Sequence, residues 1–391
     1  MEEADVERIR FATTWLQTEL QAGRDYGRRL LSMHAGGWRA AMEDDPDLRR
    51  YGTLRFLLDE IRDDLFTNPQ RARERAGVVV AFAPRAYVPH VQYGAGLVGL
   101  AWKEYANALR YAGENQEAID AARKAYAMFD RHGSFACDAA KARLVEALVL
   151  REMGERDKVL TLARACARVF GDFGDAAALV QARMTEALVL SDTNQYREAM
   201  AILSETAADA EQRHDHHTLA ICLHNSAECA RALGDRAAAA DLDARALKHF
   251  EELGTTVDKP RVRWTHALSL ADEGRISEAL LELYKTAAEF IPLGMNGDAA
   301  CCGLDVVRLR FERGENVTTT CIDLVDQFTK RGMTQNALEA LAYLREEARR
   351  ETISLPKIRR VRDYVLETSR GPARLFLPPP DDCDNQEEGG A

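Results

Sequence analysis

Residues that tolerate a left-handed backbone punctuate the middle of this chain at one spacing. They are Gly113, Gly154, Asn194, Gly234, Gly274 and Gly314, separated by 41 residues and then by 40 four times. Glycine and asparagine share the ability to end a helix in that conformation. A fixed period of about 20–50 residues marks an array of repeated supersecondary units. Each punctuator therefore predicts a turn between two helices.

The flanking positions repeat with it. Seven residues before each punctuator stand Ala106, Ala147, Ala187, Ala227 and Ala267, then Val307. Five residues after stand Ala118, Ala199, Ala239 and Ala279, with Val159 and Thr319 as departures. Four residues before stand Leu109, Leu150, Leu190, Ala230 and Leu270, then Arg310. Small residues let antiparallel helices approach closely, and larger apolar residues one turn away fill the space between them. One helix pair cannot bury its own apolar stripe, but stacked neighbours can. Strand-like alternation is absent.

A small residue early, glycine at the turn and alanine five residues later resemble tetratricopeptide repeats. Trp102, Ala106, Leu109, Gly113, Ala118 and Ala125 carry the likeness best. The usual period is about 34. A period near 40 is similar to the longer variant of bacterial regulators such as the Rap-type peptide receptors and the MalT sensor domain. The extra residues are expected between units, in segments such as FGDFGDAA and EELGTTVDKP. The resemblance implies an all-α solenoid of antiparallel helix pairs winding as a right-handed superhelix, with about six repeats over residues 93–330.

Outside the array, residues 51–92 read as a degenerate first pair, with its turn at Thr67-Asn68-Pro69. Residues 1–50 read as a helical cap, with helices expected near Val6–Leu20 and Tyr26–Met42 and an interruption at Gly36-Gly37. Residues 331–370 read as a C-terminal capping pair, and residues 371–391 as a disordered, proline-rich and acidic tail. Within that tail, Leu375, Phe376 and Leu377 could form a short docking motif.

The chain carries a net charge of −11. That disfavours nucleic acid or an anionic membrane as the main partner. No stretch approaches the roughly 20 apolar residues of a membrane span, and no secretory signal opens the chain. Cys137, Cys166, Cys222, Cys229, Cys301, Cys302, Cys321 and Cys383 form no CxxC pair. Scattered thiols fit a reducing cytoplasm.

If the resemblance extends to geometry, the first helix of each unit lines a concave groove. Positions ten, six and three residues before the turn share one helix face. They hold Lys103, Leu144, Met184, His224, Trp264 and Leu304; Asn107, Leu148, Leu188, Glu228, Leu268 and Arg308; and Arg110, Arg151, Ser191, Arg231, Ala271 and Phe311. This pattern predicts an apolar floor at Met184, Leu188, Trp264 and Leu268, flanked by Arg110, Arg151 and Arg231. Leu148, Leu188 and Leu268 serve either that floor or the packing between units. The expected partner is a protein or peptide with apolar and acidic residues. Lys103, Asn107, Arg110, Arg151, Met184, His224, Glu228, Arg231, Trp264 and Arg308 are the candidate contacts.

No phosphate loop, nucleophile elbow, HExxH or dinucleotide pattern is present, so no enzyme and no cofactor is expected. The run Glu211-Gln212-Arg213-His214-Asp215-His216-His217 holds metal-type ligands but falls where a polar linker is expected. Two alternatives to a regulatory receptor stand: a structural subunit of a larger assembly, and a Rap-like phosphatase-stimulating regulator. For the latter the resemblance offers Asn107, Gln181 and Glu228 as weak candidates.

Overall fold

Apolar residues recurring every three or four positions become helices throughout. A computed structural model describes residues 3–88, 91–131, 135–253, 258–331, 333, 335–370 and 376, with no strand among them. The chain divides into two compact units, Met1–Gln195 and Tyr196–Ala391. The all-α class expected from the periodicity is what these residues adopt.

The first unit contains α1 (Glu3–Leu31), α2 (Trp38–Asp44), α3 (Tyr51–Thr67), α4 (Pro69–Phe82), α5 (Val91–Tyr111), α6 (Asn115–Asp130), α7 (Ala136–Glu152), α8 (Arg156–Phe173) and α9 (Ala176–Asp192). The two helices expected before residue 43 are instead one long helix, α1, followed by the short α2. Gly23 sits inside α1 because the backbone of α3 passes against it. A Cβ there would lie 2.0 Å from the carbonyl carbon of Gly52. Trp38 is fully buried and donates its indole N–H to the carbonyl of Leu30 at 2.8 Å. Asn68 caps α4 by accepting from the N–H of Arg71, and Pro69 begins the helix where no N–H is needed.

The second unit contains α10 (Tyr196–Gln212), α11 (His216–Ala232), α12 (Arg236–Leu253), α13 (Asp258–Asp272), α14 (Ile276–Phe290), α15 (Asn296–Glu312), α16 (Thr318–Lys330), α17 (Gln335–Arg349) and α18 (Leu355–Arg370). Here α11 packs on α12 and α13 on α14, while α18 lies along α15. Arg362 of α18 reaches Asp305 of α15 at 2.9 Å.

All six punctuators have positive φ, from 62° at Asn194 to 83° at Gly234. In each turn the following N–H returns to the carbonyl four residues before the punctuator. Glu114 donates to Leu109 and Gln195 to Leu190, for example, at 2.9 and 2.8 Å. This closes the orphaned carbonyls of the helix end. A side chain at Gly154 would meet nothing within 4 Å, so the position is set by backbone conformation and not by crowding.

A second series of turns lies between hairpins. Gly174, His214 and Gly294 also have positive φ. Only Gly174 and Asp175 separate α8 from α9, so the extra residues expected as a linker in FGDFGDAA extend the helices instead; Gly254 to Val257 of the second expected linker lie outside the described residues. Behind the turns at Gly174 and Gly294 stand Phe170 and Phe290, and behind that at His214 stands Ala210, all fully buried; Phe250, near the end of α12, is fully buried as well. Each phenylalanine contributes about 1.5–3 kcal/mol through burial. The sixth repeat departs from register. Thr319 is exposed and Val317, just before α16, is buried in its place. At the far end Phe376 is buried against Tyr343 and Tyr364, with centroids 5.6 and 4.9 Å away. That corrects the reading of a wholly disordered tail at this residue; Leu375, Leu377, Cys383 and the acidic stretch lie outside the described residues.

Candidate functional site

In the first unit the first helices of successive hairpins, α5, α7 and α9, line a cleft with α3. Its volume is about 710 Å³. From α5 come Leu100, Lys103, Glu104, Asn107, Arg110 and Tyr111. The helix α7 adds Asp138, Lys141, Leu144, Val145 and Leu148, and α9 adds Ala177, Ala178 and Gln181 beside Asp175. Arg55, Arg62 and Leu65 enter from α3. The positions ten and six residues before the turn line this cleft on α5 and α7, at Lys103, Asn107, Leu144 and Leu148, but on α9 Met184 and Leu188 do not. The stripe runs one turn further upstream than expected, through Leu100, Lys141 and Gln181.

The lining carries five cationic side chains against three carboxylates, a local reversal of the chain's acidic balance. Glu104 is the electrostatic centre. Its side chain is 1% exposed, and Lys103 and Arg62 lie 2.8 and 3.0 Å from it. Asn107 donates to it at 3.0 Å. Burial alone would raise the Glu104 carboxyl, but these partners outweigh it and hold it below the usual carboxylate range. Opposite, Asp175 caps α9 by accepting from the N–H of Ala178 and pairs with Lys141 at 2.8 Å. The Lys141 hydrogen bond and that N–H lower the Asp175 carboxyl.

Arg110 is held differently. Its guanidinium lies 4.1 Å from the centroid of the Tyr111 ring, and Nη1 reaches Glu152 at 2.8 Å. Its Nε is buried without a hydrogen-bond partner. A buried donor left this way costs about 1–3 kcal/mol.

The remaining candidates separate. Arg151 pairs with Asp192 at 3.3 Å and does not line the cleft. Met184 is half-buried. In the second unit, Arg231 and His224 converge on Asp243, which is fully buried. Arg231 donates to it at 2.6 Å, Ser269 at 3.2 Å and Thr265 at 3.4 Å, with His224 Nδ1 also at 3.4 Å. Arg231 is therefore occupied within the fold. Glu228 on the same helix is exposed. Trp264, expected as an exposed anchor, is a core residue. It is 6% exposed, donates its indole N–H to Asp305 at 2.8 Å, and meets Phe290 edge-on. Arg362 covers its face at 5.4 Å. Arg308 lies between Asp305 and Glu312.

The columns missed Arg55 and Arg62, because α3 stands outside the repeat register. They also stopped one turn short of Lys141 and Gln181, which continuing the same three- and four-residue steps would have reached.

No protein-family description and no curated protein matches the chain. Solved structures do match it. The apo form of the quorum sensor NprR from B. thuringiensis superposes with a TM-score of 0.58 at 13% identity, over 93% of this chain and 99% of that one. The fold is tetratricopeptide-like and Rap-type. A Rap protein complexed with Competence and Sporulation Factor gives a TM-score of 0.52 at 14% identity, over 92% of this chain and 99% of that one. Aspartyl phosphate phosphatase F from Bacillus subtilis gives 0.55 at 12%, over 76% of this chain and 70% of that one. At such identities the likeness is one of fold. Among the described residues no helix is long and apolar enough to cross a membrane.

Proposed function

We propose that this chain is a regulatory receptor that binds a short peptide with acidic and apolar residues in the cleft of its first unit. The observation that carries the reading is a cleft where five cationic side chains, Arg110 among them, outnumber three carboxylates. A peptide carboxylate answers that excess. Leu144, Val145 and Leu148 offer an apolar floor, while Asn107 and Gln181 offer amides suited to an extended backbone. A cleft of this volume has the size of pockets for small ligands or a few peptide residues. The fold neighbours support the same direction, since one is a quorum sensor and another is complexed with Competence and Sporulation Factor. A place in bacterial signalling follows by analogy of fold.

The test is an array of short synthetic peptides varying in charge and apolar content, probed with wild type, Arg110→Ala and Lys141→Ala. Acidic-apolar peptides should be retained by wild type and lose about tenfold or more in affinity in Arg110→Ala, the size of a charge-assisted bond. Equal retention by all three proteins, or a preference for basic peptides, refutes the reading.

A further inference from the structure

The histidine-rich segment before α11 does not act as one group. Asp215 is the cap of α11, its side chain accepting from the N–H and hydroxyl of Thr218. His214 occupies the left-handed turn. His217 meets the edge of Phe250, with centroids 5.9 Å apart. Only His216, the first residue of α11, faces a second set of metal-type donors. Because α11 and α12 are antiparallel across the Gly234 turn, the start of one lies beside the end of the other. There the C-terminal end of α12 presents His249 and Glu252.

The rings of His216 and His249 stack, with centroids 5.4 Å apart and planes inclined by 27°. One donor atom from each of His216, His249 and Glu252 lies within 4.8 Å of the other two. His249 Nδ1 is buried and has no hydrogen-bond partner. Glu252 stands 3.9 Å from it, too far for a hydrogen bond. A buried ring nitrogen without a partner is costly, and two imidazoles held face to face beside a carboxylate have an evident third party.

We propose that His216, His249 and Glu252 form a zinc-binding site that fastens the start of α11 to the end of α12. Two imidazoles and one carboxylate are a borderline donor set that suits Zn²⁺ and disfavours Ca²⁺ and Mg²⁺, which take oxygen ligands. Zinc bonds of about 2.0–2.2 Å at tetrahedral angles place donors roughly 3.3 Å apart. Small side-chain rotations close the observed spacing. Three protein donors leave one position for water or for a group from another molecule. The site closes the open end of the hairpin, opposite the Gly234 turn. It shares no residue with the cleft of the first unit, so the two proposals stand or fall separately.

Chelator-treated full-length protein is titrated with zinc sulfate by calorimetry, with thermal unfolding followed in parallel. One zinc per chain and a melting temperature that rises with zinc are expected. His216→Ala and His249→Ala each weaken binding at least about tenfold, while His214→Ala and His217→Ala bind as wild type does. His216 is exposed, so its variant keeps the fold and makes the decisive comparison. No heat above dilution overturns the site. So does binding unchanged in His216→Ala, or binding lost in His214→Ala or His217→Ala.

Discussion

Asp243 occupies a position that holds leucine in the hairpins on either side, at Leu203 and Leu283, both buried. Replacing it by leucine restores the common pattern, and the structure predicts that this harms the protein. The carboxylate is fully buried and receives Arg231, Ser269 and Thr265. Asp243→Leu leaves the Arg231 guanidinium and the Ser269 hydroxyl without their acceptor, while the Thr265 hydroxyl keeps the carbonyl of Val262 at 2.9 Å. Removing one partner of a buried charge pair costs about 3–5 kcal/mol. Arg231 retains 24% side-chain exposure and can turn partly to water, and the leucine adds apolar contact, so the lower end, about 3 kcal/mol, applies. For a unit of this size about 2–4 °C is lost per kcal/mol, giving a fall of about 6–12 °C in the second unit's transition. Thermal melts by circular dichroism read the shift. The double variant Asp243→Leu with Arg231→Met should recover most of it, because exchanging both partners for apolar groups is nearly neutral. A single variant melting within about 2 °C of wild type refutes this reasoning.

Other outcomes follow from the same kind of reading. Gly154→Val places a β-branched residue at φ 81° and should cost about 1–2 kcal/mol by urea unfolding; an unchanged midpoint refutes the backbone explanation. Arg362→Ala uncovers the ring of Trp264 and should shift tryptophan emission to the red with a lower melting temperature. Glu104 and Asp175 are held below their ordinary values of 4.5 and 3.8. Their stabilising contribution is full above those values and is lost as pH falls through the lowered ones, so melting temperature should decline in acid below about pH 4.5, and Glu104→Gln should flatten that decline. Burial pushes the thiols of Cys166, Cys222 and Cys321 up to about 12; mass-mapped thiol labelling near pH 8 should mark them only after denaturant is added.

The turns were legible because a left-handed residue is a local requirement, answered by glycine or asparagine without reference to the rest of the fold. The alanine columns were legible for a similar reason, since close helix contact admits few side chains. The exposure of Trp264 was not. Its burial depends on Arg362 and Asp305, one of them on a helix far along the chain, and repeat columns contain no information about a helix outside the repeat. The same applies to the cleft, which the columns foresaw at Lys103, Asn107 and Arg110 while missing Arg55 and Arg62 on α3. The gap expected between Leu20 and Tyr26 holds Gly23, which in the structure lies inside α1 with the backbone of Gly52 against it.

Look-alike hairpins carry a hazard during folding, since one can settle in the berth of another and trap the chain. Apolar columns do little to prevent this, because alanine and leucine fit every berth equally well. The group around Asp243 draws on α11, α12 and α13 at once. A hairpin arriving in the wrong place would bring its carboxylate against leucine with no guanidinium or hydroxyl to receive it. The buried charge thereby sets this hairpin apart from its neighbours, whose equivalent positions are the buried Leu203 and Leu283.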